Sequence, residues 1–359
     1  MRALLVVRPD AEAKPGGDVV LAERSADALR ALGVDADLVA TAAPDARGYD
    51  VAHVFGIFEP EFARPQLLAL RASGTPVALS PIWWDRTAFF VMDPHFARAL
   101  RGGSAARVLR RAAELREAEE RLCARPGSGA LRRRREQANL VRMCEVALPA
   151  SEIEAFACAN GLRAPDVPYV VAPYGVDDDA FAVEPAAPRS GVLCVGRIEP
   201  LKNQAGLLYA LHGLDVEVTL LGRAYDPEYL ALCRRWATPR TRFVERVDRA
   251  ELRLLLGRTA VHVLPSWGEL PGFVSLEAAA AGARVVAGTR GSEREYLGPD
   301  VAYVDPLDLD GIRAAVLRAL ERRPRDRGDA LERRLGARTW ERYARTVLDA
   351  YARAMTARR

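Results

Sequence analysis

Two glutamates separated by seven residues are the first candidates for chemistry in this chain. Glu269 precedes a proline and a glycine, and Glu277 lies in a leucine- and alanine-rich run that ends at Gly282. This composition predicts a helix, so Glu269 is expected in a loop and Glu277 in the helix that follows. The N-terminus of such a helix suits a phosphate, whereas the carboxylates would accept hydrogen bonds from ribose or sugar hydroxyls. A surface helix with two solvated glutamates explains this stretch equally well.

A basic pair forms the second candidate group. In GVLCVGRIEPLKN, Arg197 follows a predicted strand and Lys202 opens the next helix. An arginine that bonds two oxygens and a lysine that supplies a point charge could together neutralise a departing diphosphate. Arginine and lysine near a helix start are usually surface residues, so the pair gains significance only in combination with the two glutamates.

Short apolar runs alternate with helical patterns on both sides of a proline-rich stretch at 183–190, which is predicted to connect two domains. This alternation is typical of parallel sheets covered by helices on both faces. Because ligands bind beyond the carboxyl ends of such strands, the loop with Gly16, Gly17 and Asp18 could line a cleft or be a plain turn. The chain closes with an amphipathic helical pattern from Trp340.

The bulk composition describes a folded protein of ordinary type. The chain has 359 residues, half of them hydrophobic, and a net charge of +4, which favours two domains and permits anionic ligands without indicating nucleic acid. No apolar run is long enough for a bilayer and no signal peptide is apparent, so a cytoplasmic location is expected. The five cysteines have no CxxC spacing, which predicts small buried side chains rather than zinc or disulfides.

Residues 98–142 form a strongly basic segment rich in arginine. A Gly-Ser-Gly sequence at 127–129 predicts two helices there. Peripheral contact with an anionic membrane, or with a phosphate-bearing acceptor, is one interpretation. A solvated helix face with Glu–Arg pairs is the other.

Three stretches resemble the motifs of retaining GT-B glycosyltransferases of family 4, the glycosyl transferases group 1: GRIEPLKN, the Glu269/Glu277 spacing, and PYGVDDDAF. The resemblance covers the whole chain. It implies an α/β GT-B fold with two Rossmann-like, doubly wound parallel-sheet domains that face a cleft. The expected domains are residues 1–172 with a C-terminal helix at 340–359 that crosses back, for the acceptor, and residues 173–339 for the donor.

The resemblance also implies roles for individual residues. Arg197 and Lys202 would bind the donor pyrophosphate, Glu269 would lie close to the donor sugar, and Glu277 would hold the ribose. The loop reads ELPGFVSLE instead of the commoner EGFGLPxLE, yet it still offers the backbone N–H groups of residues 273–275. The expected donor site comprises Gly196, Arg197, Lys202, Asn203, Gly222, Val247, Glu269, Gly272, Phe273, Val274, Ser275 and Glu277.

The acceptor side departs from the family. Many members carry a histidine after the strand that corresponds to TPVALSP, where this chain has residues 80–85, SPIWWD. His53 and Asp85 are the polar candidates that remain, and His53 joins Glu269, Arg197 and Lys202 as a candidate catalytic residue. Trp83 and Trp84 could form an aromatic platform for a sugar or fill the core. Gly16 and Gly17 match the family's glycine loop, and Gly291 and Glu295 match a later glycine and glutamate.

The resemblance implies transfer of a sugar from a UDP- or GDP-sugar to an acceptor hydroxyl in glycan, glycolipid or secondary-metabolite biosynthesis. It implies no metal and no other cofactor, and it leaves the donor sugar, the acceptor and the oligomeric state open. A sugar-nucleotide epimerase or pseudo-glycosyltransferase, and a non-catalytic sugar-nucleotide-binding subunit, remain alternatives. A nicotinamide oxidoreductase is disfavoured because no GxGxxG follows the first strand.

Overall fold

The computed structural model describes residues 1–124, 127–182, 188–322 and 329–357. The chain forms two compact units. Unit 1 comprises Met1–Asp85, Gly127–Val176 and Arg338–Arg359, and unit 2 comprises Arg86–Pro126 and Asp177–Ala337. Residues 183–187, most of the predicted connection at 183–190, lie outside the described residues. The basic Arg125 also lies outside them.

Helices and strands alternate through most of the chain. The elements up to residue 181 are β1 (Arg2–Val7), α1 (Gly17–Ala31), β2 (Asp35–Ala40), β3 (Val51–Phe55), α2 (Pro60–Ser73), β4 (Val77–Ser80), α3 (Thr87–Gly102), α4 (Ala105–Glu117), α5 (Glu119–Cys123), α6 (Ser128–Val141), β5 (Val146–Ala147), α7 (Glu152–Phe156) and α8 (Asp178–Phe181). Gly127 precedes α6, as the predicted break requires, but Ser128 and Gly129 lie in the first turn of that helix, and the stretch before the break forms α4 and α5 instead of one helix.

The elements from residue 190 onward follow the same alternation. They are β6 (Ser190–Val195), α9 (Gln204–Leu211), β7 (Val218–Leu221), α10 (Pro227–Trp236), β8 (Thr241–Val244), α11 (Arg249–Arg258), β9 (Thr259–Leu264), α12 (Phe273–Ala280), β10 (Arg284–Gly288), α13 (Glu293–Leu297), β11 (Ala302–Val304), α14 (Leu309–Glu321), α15 (Ala330–Gly336) and α16 (Trp340–Ala357).

Unit 1 contains a parallel sheet in the order β2-β1-β3-β4-β5. Every residue of β3 and β4 is buried, as expected for strands covered on both faces. The amphipathic helix α16 contacts this unit with a row of buried side chains. Tyr343 Oη lies 2.8 Å from Ser25 Oγ on α1, and the C-terminal helix is part of unit 1.

Unit 2 contains a second parallel sheet, in the order β11-β10-β9-β6-β7-β8. The first strand of this unit, β6, pairs with β7 on one side and with β9 on the other, so the strand order reverses between β6 and β9. In open α/β sheets, ligands bind beyond the carboxyl ends of the strands at such a reversal. The loops that follow β6 and β9 are therefore the expected position of a ligand-binding site.

Residues 86–126 differ from the predicted domain boundaries. The sequence placed them in the first domain, but they belong to unit 2. Their helices are held there by long-range hydrogen bonds: Trp236 Nε1 donates to the Leu100 carbonyl over 3.1 Å, and Tyr209 Oη donates to the Ala105 carbonyl over 2.8 Å. Arg290 adds a bidentate pair with Glu119 at 2.6 and 2.7 Å.

Four of the five cysteines are buried, as predicted, and Cys123 is partly exposed. Within the described ranges, the structure contains no helix that is both long and apolar enough to cross a bilayer.

Candidate functional site

Two glycines shape the carboxyl edge of the unit 2 sheet. Gly196 follows β6 with φ 150° and Gly222 follows β7 with φ 153°. A Cβ atom on Gly222 would lie 2.0 Å from the Gly196 carbonyl oxygen, so no other residue fits at this position. The two backbones can therefore approach closely, and Arg197 follows directly at the edge of the sheet.

Lys202 lies at the end of a short 3₁₀ turn, Pro200–Lys202, in the loop after β6. Its ammonium lies 2.5 Å from Glu269 Oε1, in the loop after β9. Both side chains are largely buried, which strengthens this charge-assisted contact relative to a surface pair. The structure thus brings together two predicted site residues, 67 positions apart, beside the strand-order reversal.

The backbone around Glu269 is held by the loop after β10. Its N–H donates to the Arg290 carbonyl over 3.2 Å, and its carbonyl accepts from the Ser292 N–H over 2.9 Å. A Cβ atom on Gly291 would lie 2.1 Å from the Glu269 carbonyl oxygen, and Gly291 has φ 104°. Only glycine satisfies both conditions, so Gly291 fixes the position of Glu269.

The predicted loop-to-helix transition is confirmed. Gly272 precedes α12 with φ 75° and ψ 71°, and the helix begins at Phe273. Phe273 and Val274 are half-buried and Ser275 is buried. The N–H of Ser275 donates to the Gly272 carbonyl over 2.9 Å. Ser275 therefore uses its amide within the first turn, contrary to the prediction that it would be offered to a phosphate.

Glu277 forms an ion pair that the sequence analysis missed. Arg249 Nη1 lies 2.7 Å from Glu277 Oε1, and its Nη2 lies 2.7 Å from Asp177 and 3.1 Å from Asp179. Burial raises the pKa of Glu277, and the Arg249 charge opposes that shift. Glu277 therefore depends on Arg249 to remain an acceptor.

A local signal for Arg249 does exist in the sequence. Asp248 and Glu251 form a capping box that starts α11, and Arg249 is the first residue of that helix. Val247, a predicted donor-site residue, is half-buried in the loop just before this cap. The capping box predicts the helix start, but not the partners of Arg249.

Arg197 and Asn203 differ in accessibility. The Arg197 side chain is 39% exposed and lies 3.2 Å from Glu199, so it can turn to a ligand. Asn203 is 2% exposed, and its amide donates to the carbonyls of Pro265 and Pro306 at 3.3 and 2.8 Å. The prediction that Asn203 contacts the donor is therefore replaced by a structural role: it ties together the loops after β6, β9 and β11.

His53 is not an accessible catalytic residue. It is fully buried in β3, with Nδ1 2.9 Å from Tyr351 Oη and Nε2 2.9 Å from Ser80 Oγ. Burial lowers the pKa of His53 to about 3, so the ring is neutral at ordinary pH. The catalytic assignment is wrong because both ring nitrogens are used internally: Nδ1 joins β3 to α16 and Nε2 joins β3 to β4.

The remaining acceptor-side candidates in unit 1 make internal contacts. Trp83 is buried and donates from Nε1 to Gln137 over 2.9 Å, so it fills the core and is no sugar platform. Trp84 is half-buried and stacks on Phe58 with ring centroids 6.3 Å apart. Asp85 accepts from Arg134 over 2.5 Å.

The glycine loop of unit 1 leads into α1. Gly16 is the N-cap of this helix and Gly17 its first residue. Asp18 accepts from Arg8 Nε over 2.7 Å. The carboxylate of Asp18 therefore joins the first turn of α1 to the residue that follows β1.

Comparisons of the sequence with known proteins find similarity to glycosyltransferases. Residues 189–322 match the family described as Glycosyl transferases group 1. Glycogen synthase of Mycobacterium tuberculosis (strain H37Rv) is 34% identical over 159 residues, which are 41% of this chain and 38% of that protein. An MMP alpha-(1->4)-mannosyltransferase of Mycolicibacterium hassiacum is 28% identical over 198 residues, 52% of this chain and 48% of that protein. The chain thus spans less than half the length of either relative.

Solved structures resemble the chain over almost its whole length. Sucrose-phosphate synthase from Thermosynechococcus elongatus has a TM-score of 0.66 at 16% identity, over 99% of this chain and 97% of that one. Anabaena HepE in complex with UDP-glucose has a TM-score of 0.60 at 15% identity, over 98% and 95%. The chain therefore has the GT-B fold, and the match to Glycosyl transferases group 1 covers the part of unit 2 that contains Arg197, Lys202, Glu269 and Glu277.

Proposed function

We propose that the protein is a glycosyltransferase that moves a sugar from a UDP- or GDP-sugar to an acceptor hydroxyl, with retention of the anomeric configuration. The observation that carries this proposal is the contact of 2.5 Å between Lys202 and Glu269 at the strand-order reversal of unit 2. Diphosphate and sugar need opposite kinds of partner, a cation and an acceptor, and this site holds one of each side by side.

Different residues of the site would bind different parts of the donor. Lys202, Arg197 and the N-terminus of α12 would bind the diphosphate, since a helix start adds a partial positive charge. Glu269 would accept from a hydroxyl of the sugar. Glu277, held by Arg249 at 2.7 Å, would accept from the ribose hydroxyls.

These cations also support a mechanism without a metal ion. Charge that develops on the leaving diphosphate would be stabilised by Arg197 and Lys202 once they turn to it from Glu199 and Glu269. The leaving diphosphate would assist deprotonation of the acceptor on the same face, so no residue is assigned as a nucleophile.

The comparisons support a nucleotide-sugar donor by analogy. HepE structures contain UDP or UDP-glucose, and the relatives in sequence are a glycogen synthase and a mannosyltransferase. Peripheral membrane contact through residues 98–142 stays a prediction.

The test is an assay with a panel of UDP- and GDP-sugars, with and without a mixture of sugar, lipid and polyphenol acceptors. Transfer predicts release of UDP or GDP that depends on an acceptor, and an α-linked product from an α-configured donor by NMR. Conversion of the nucleotide sugar with donor alone would identify an epimerase. Nucleotide binding without turnover across the panel would instead favour a sugar-nucleotide-binding subunit.

A further inference from the structure

Glu293 is a buried carboxyl group beside the proposed donor site to which the sequence assigned no role. It is the first residue of α13 and is 1% exposed. Among the residues that the structure describes, neither of its carboxyl oxygens has a hydrogen-bond partner of normal geometry. A buried polar group without a hydrogen-bond partner lowers the stability of the folded protein, so such groups are rare unless they have a function.

The position of Glu293 connects it to the site. A Cβ atom built on Gly272 would lie 2.8 Å from Glu293 Oε1 and 3.5 Å from Glu269 Cβ. The carboxyl end of Glu293 thus lies against the turn that starts α12, next to Glu269. The adjacent Ser292 N–H donates to the Glu269 carbonyl over 2.9 Å, so the backbones are also joined.

The surroundings of Glu293 favour the uncharged acid. Burial raises the pKa of Glu293 well above its ordinary value, and the charge of Glu269 adds to this shift. The charge of Lys202 acts in the opposite direction, as do contacts with the Ser275 side chain and the Gly288 backbone that fall short of normal hydrogen-bond geometry. Tyr303 is a further titratable group that faces it. The ammonium of Lys202 contacts Glu269 at 2.5 Å, so of the two carboxyl groups Glu269 is the ionised one.

This arrangement matters once a diphosphate is bound. If Lys202 turns to the phosphate oxygens, Glu269 loses its only ion-pair partner among the described residues. A largely buried carboxylate without a hydrogen-bond or ion-pair partner carries a large cost in free energy. A neighbouring carboxylic acid can prevent this because it can donate a hydrogen bond that shares one proton between the two groups.

We propose that Glu293 is a positioning residue of the donor site: as a neutral acid it donates a hydrogen bond to Glu269 when Lys202 turns to the diphosphate. Glu269 then stays an ionised acceptor for a hydroxyl of the donor sugar. No proton leaves the pair and no bond to the substrate is made by Glu293. The positioning role of Glu293 rests on the proposed function. The neutral state of Glu293 does not depend on that function.

The first test uses transfer kinetics of Glu293→Gln and Glu293→Leu. Glutamine is neutral and keeps a donor, so its kcat at pH 7 should stay within about threefold of wild type, whereas leucine should lower kcat about tenfold or more. In wild type, kcat should fall as pH rises and Glu293 ionises, and this decline should be absent in Glu293→Gln. Glu228→Gln, at an 84% exposed side chain, is the matched control and should keep the wild-type profile.

Equal defects in Glu293→Gln and Glu293→Leu would overturn the proposal, and so would the same decline of kcat with rising pH in Glu293→Gln as in wild type. If the leucine variant does not fold, the pH profile of the glutamine variant still decides. Folding of each variant is checked by its melting temperature.

A second readout is independent of transfer. Because the unfolded chain gives up the Glu293 proton at lower pH than the folded protein, wild type loses folding free energy as pH rises above about 4.5. The difference in unfolding free energy between Glu293→Gln and wild type should therefore shift in favour of the variant as pH rises above about 4.5. A difference that does not change with pH would contradict a neutral Glu293, whether or not the protein transfers sugar. If wild type transfers no sugar but the stability difference still changes with pH, the proposed function alone is contradicted.

Discussion

The ammonium of Lys202 and the carboxylate of Glu269 satisfy each other at 2.5 Å across the loops that follow β6 and β9. In the proposed function these two groups serve different parts of one substrate, the diphosphate and the sugar. The ion pair holds both near their working positions before the substrate arrives, which lowers the cost of ordering them. Binding of a diphosphate must then compete with Glu269 for Lys202.

This competition predicts that Glu269→Gln separates binding from transfer. Glutamine leaves Lys202 without a carboxylate partner, so UDP or GDP should bind as tightly as in wild type or more tightly. Transfer should fall at least about tenfold because the sugar loses a charged acceptor. Calorimetric titration with the diphosphate and a transfer assay measure the two effects. Weaker diphosphate binding in Glu269→Gln would contradict the competition.

Arg249→Ala should raise KM for the donor more than it lowers kcat. Without the guanidinium 2.7 Å away, burial shifts Glu277 further toward its neutral form, and the ribose loses an acceptor. The variant should also lose about 1 to 3 kcal/mol of unfolding free energy, because a largely buried carboxylate is left without its partner.

A double variant distinguishes the two effects of Arg249. Arg249→Met with Glu277→Gln removes the orphaned charge, so it should recover stability in thermal unfolding without recovering the donor KM. Full recovery of KM in this double variant would show that Glu277 does not contact the donor.

Gly272→Ala should damage the site through two separate effects. Gly272 has φ 75° and its added Cβ would meet Glu293 at 2.8 Å. Gly213→Ala is the matched control, because Gly213 has φ 78° but no atom within 4 Å of an added Cβ. The control should cost about 1 kcal/mol of stability. Gly272→Ala should cost more and also weaken diphosphate binding; equal effects of both variants would contradict the crowding.

The buried His53 predicts acid sensitivity of unit 1. Its pKa is lowered to about 3, so below about pH 6.5 the unfolded chain binds a proton that the folded protein does not. Stability is therefore lost as pH falls from about 6.5 toward 3, at up to roughly 1.4 kcal/mol per pH unit. Chemical unfolding of His53→Gln should show a shallower decline than wild type, whereas the exposed His95→Gln should follow wild type. Parallel curves for His53→Gln and wild type would refute this assignment.

The sequence predicted the local placement of Glu269, Glu277 and Arg197 because its signals are local. Glycine and proline before an alanine-rich run place Glu269 in a loop and Glu277 in a helix, and a short apolar strand places Arg197 at its carboxyl end. Each of these inferences uses residues that are neighbours along the chain. The alternation of strands and helices likewise predicted both parallel sheets.

The parts that failed depend on distant contacts. His53 stands in a strand that is buried on both faces, where a polar residue can be satisfied only by residues such as Ser80 and Tyr351. Residues 86–126 belong to unit 2 through partners more than a hundred positions away, including Tyr209 and Trp236. Arg249 and Glu293 are relevant to the site because they lie beside Glu277 and Glu269. No periodicity along the chain indicates contacts of this kind.

The most direct test of the central claim is calorimetric titration of UDP and GDP into wild type, the double variant Arg197→Ala/Lys202→Ala, and the control Arg240→Ala. Arg240 precedes β8, at the amino end of the strand, and pairs with Asp215 at 2.6 Å. The account predicts that wild type and Arg240→Ala bind at least one of the two diphosphates equally well, and that the double variant binds it about a hundredfold more weakly. Undiminished binding by the double variant, or no binding of either diphosphate by wild type, would contradict it.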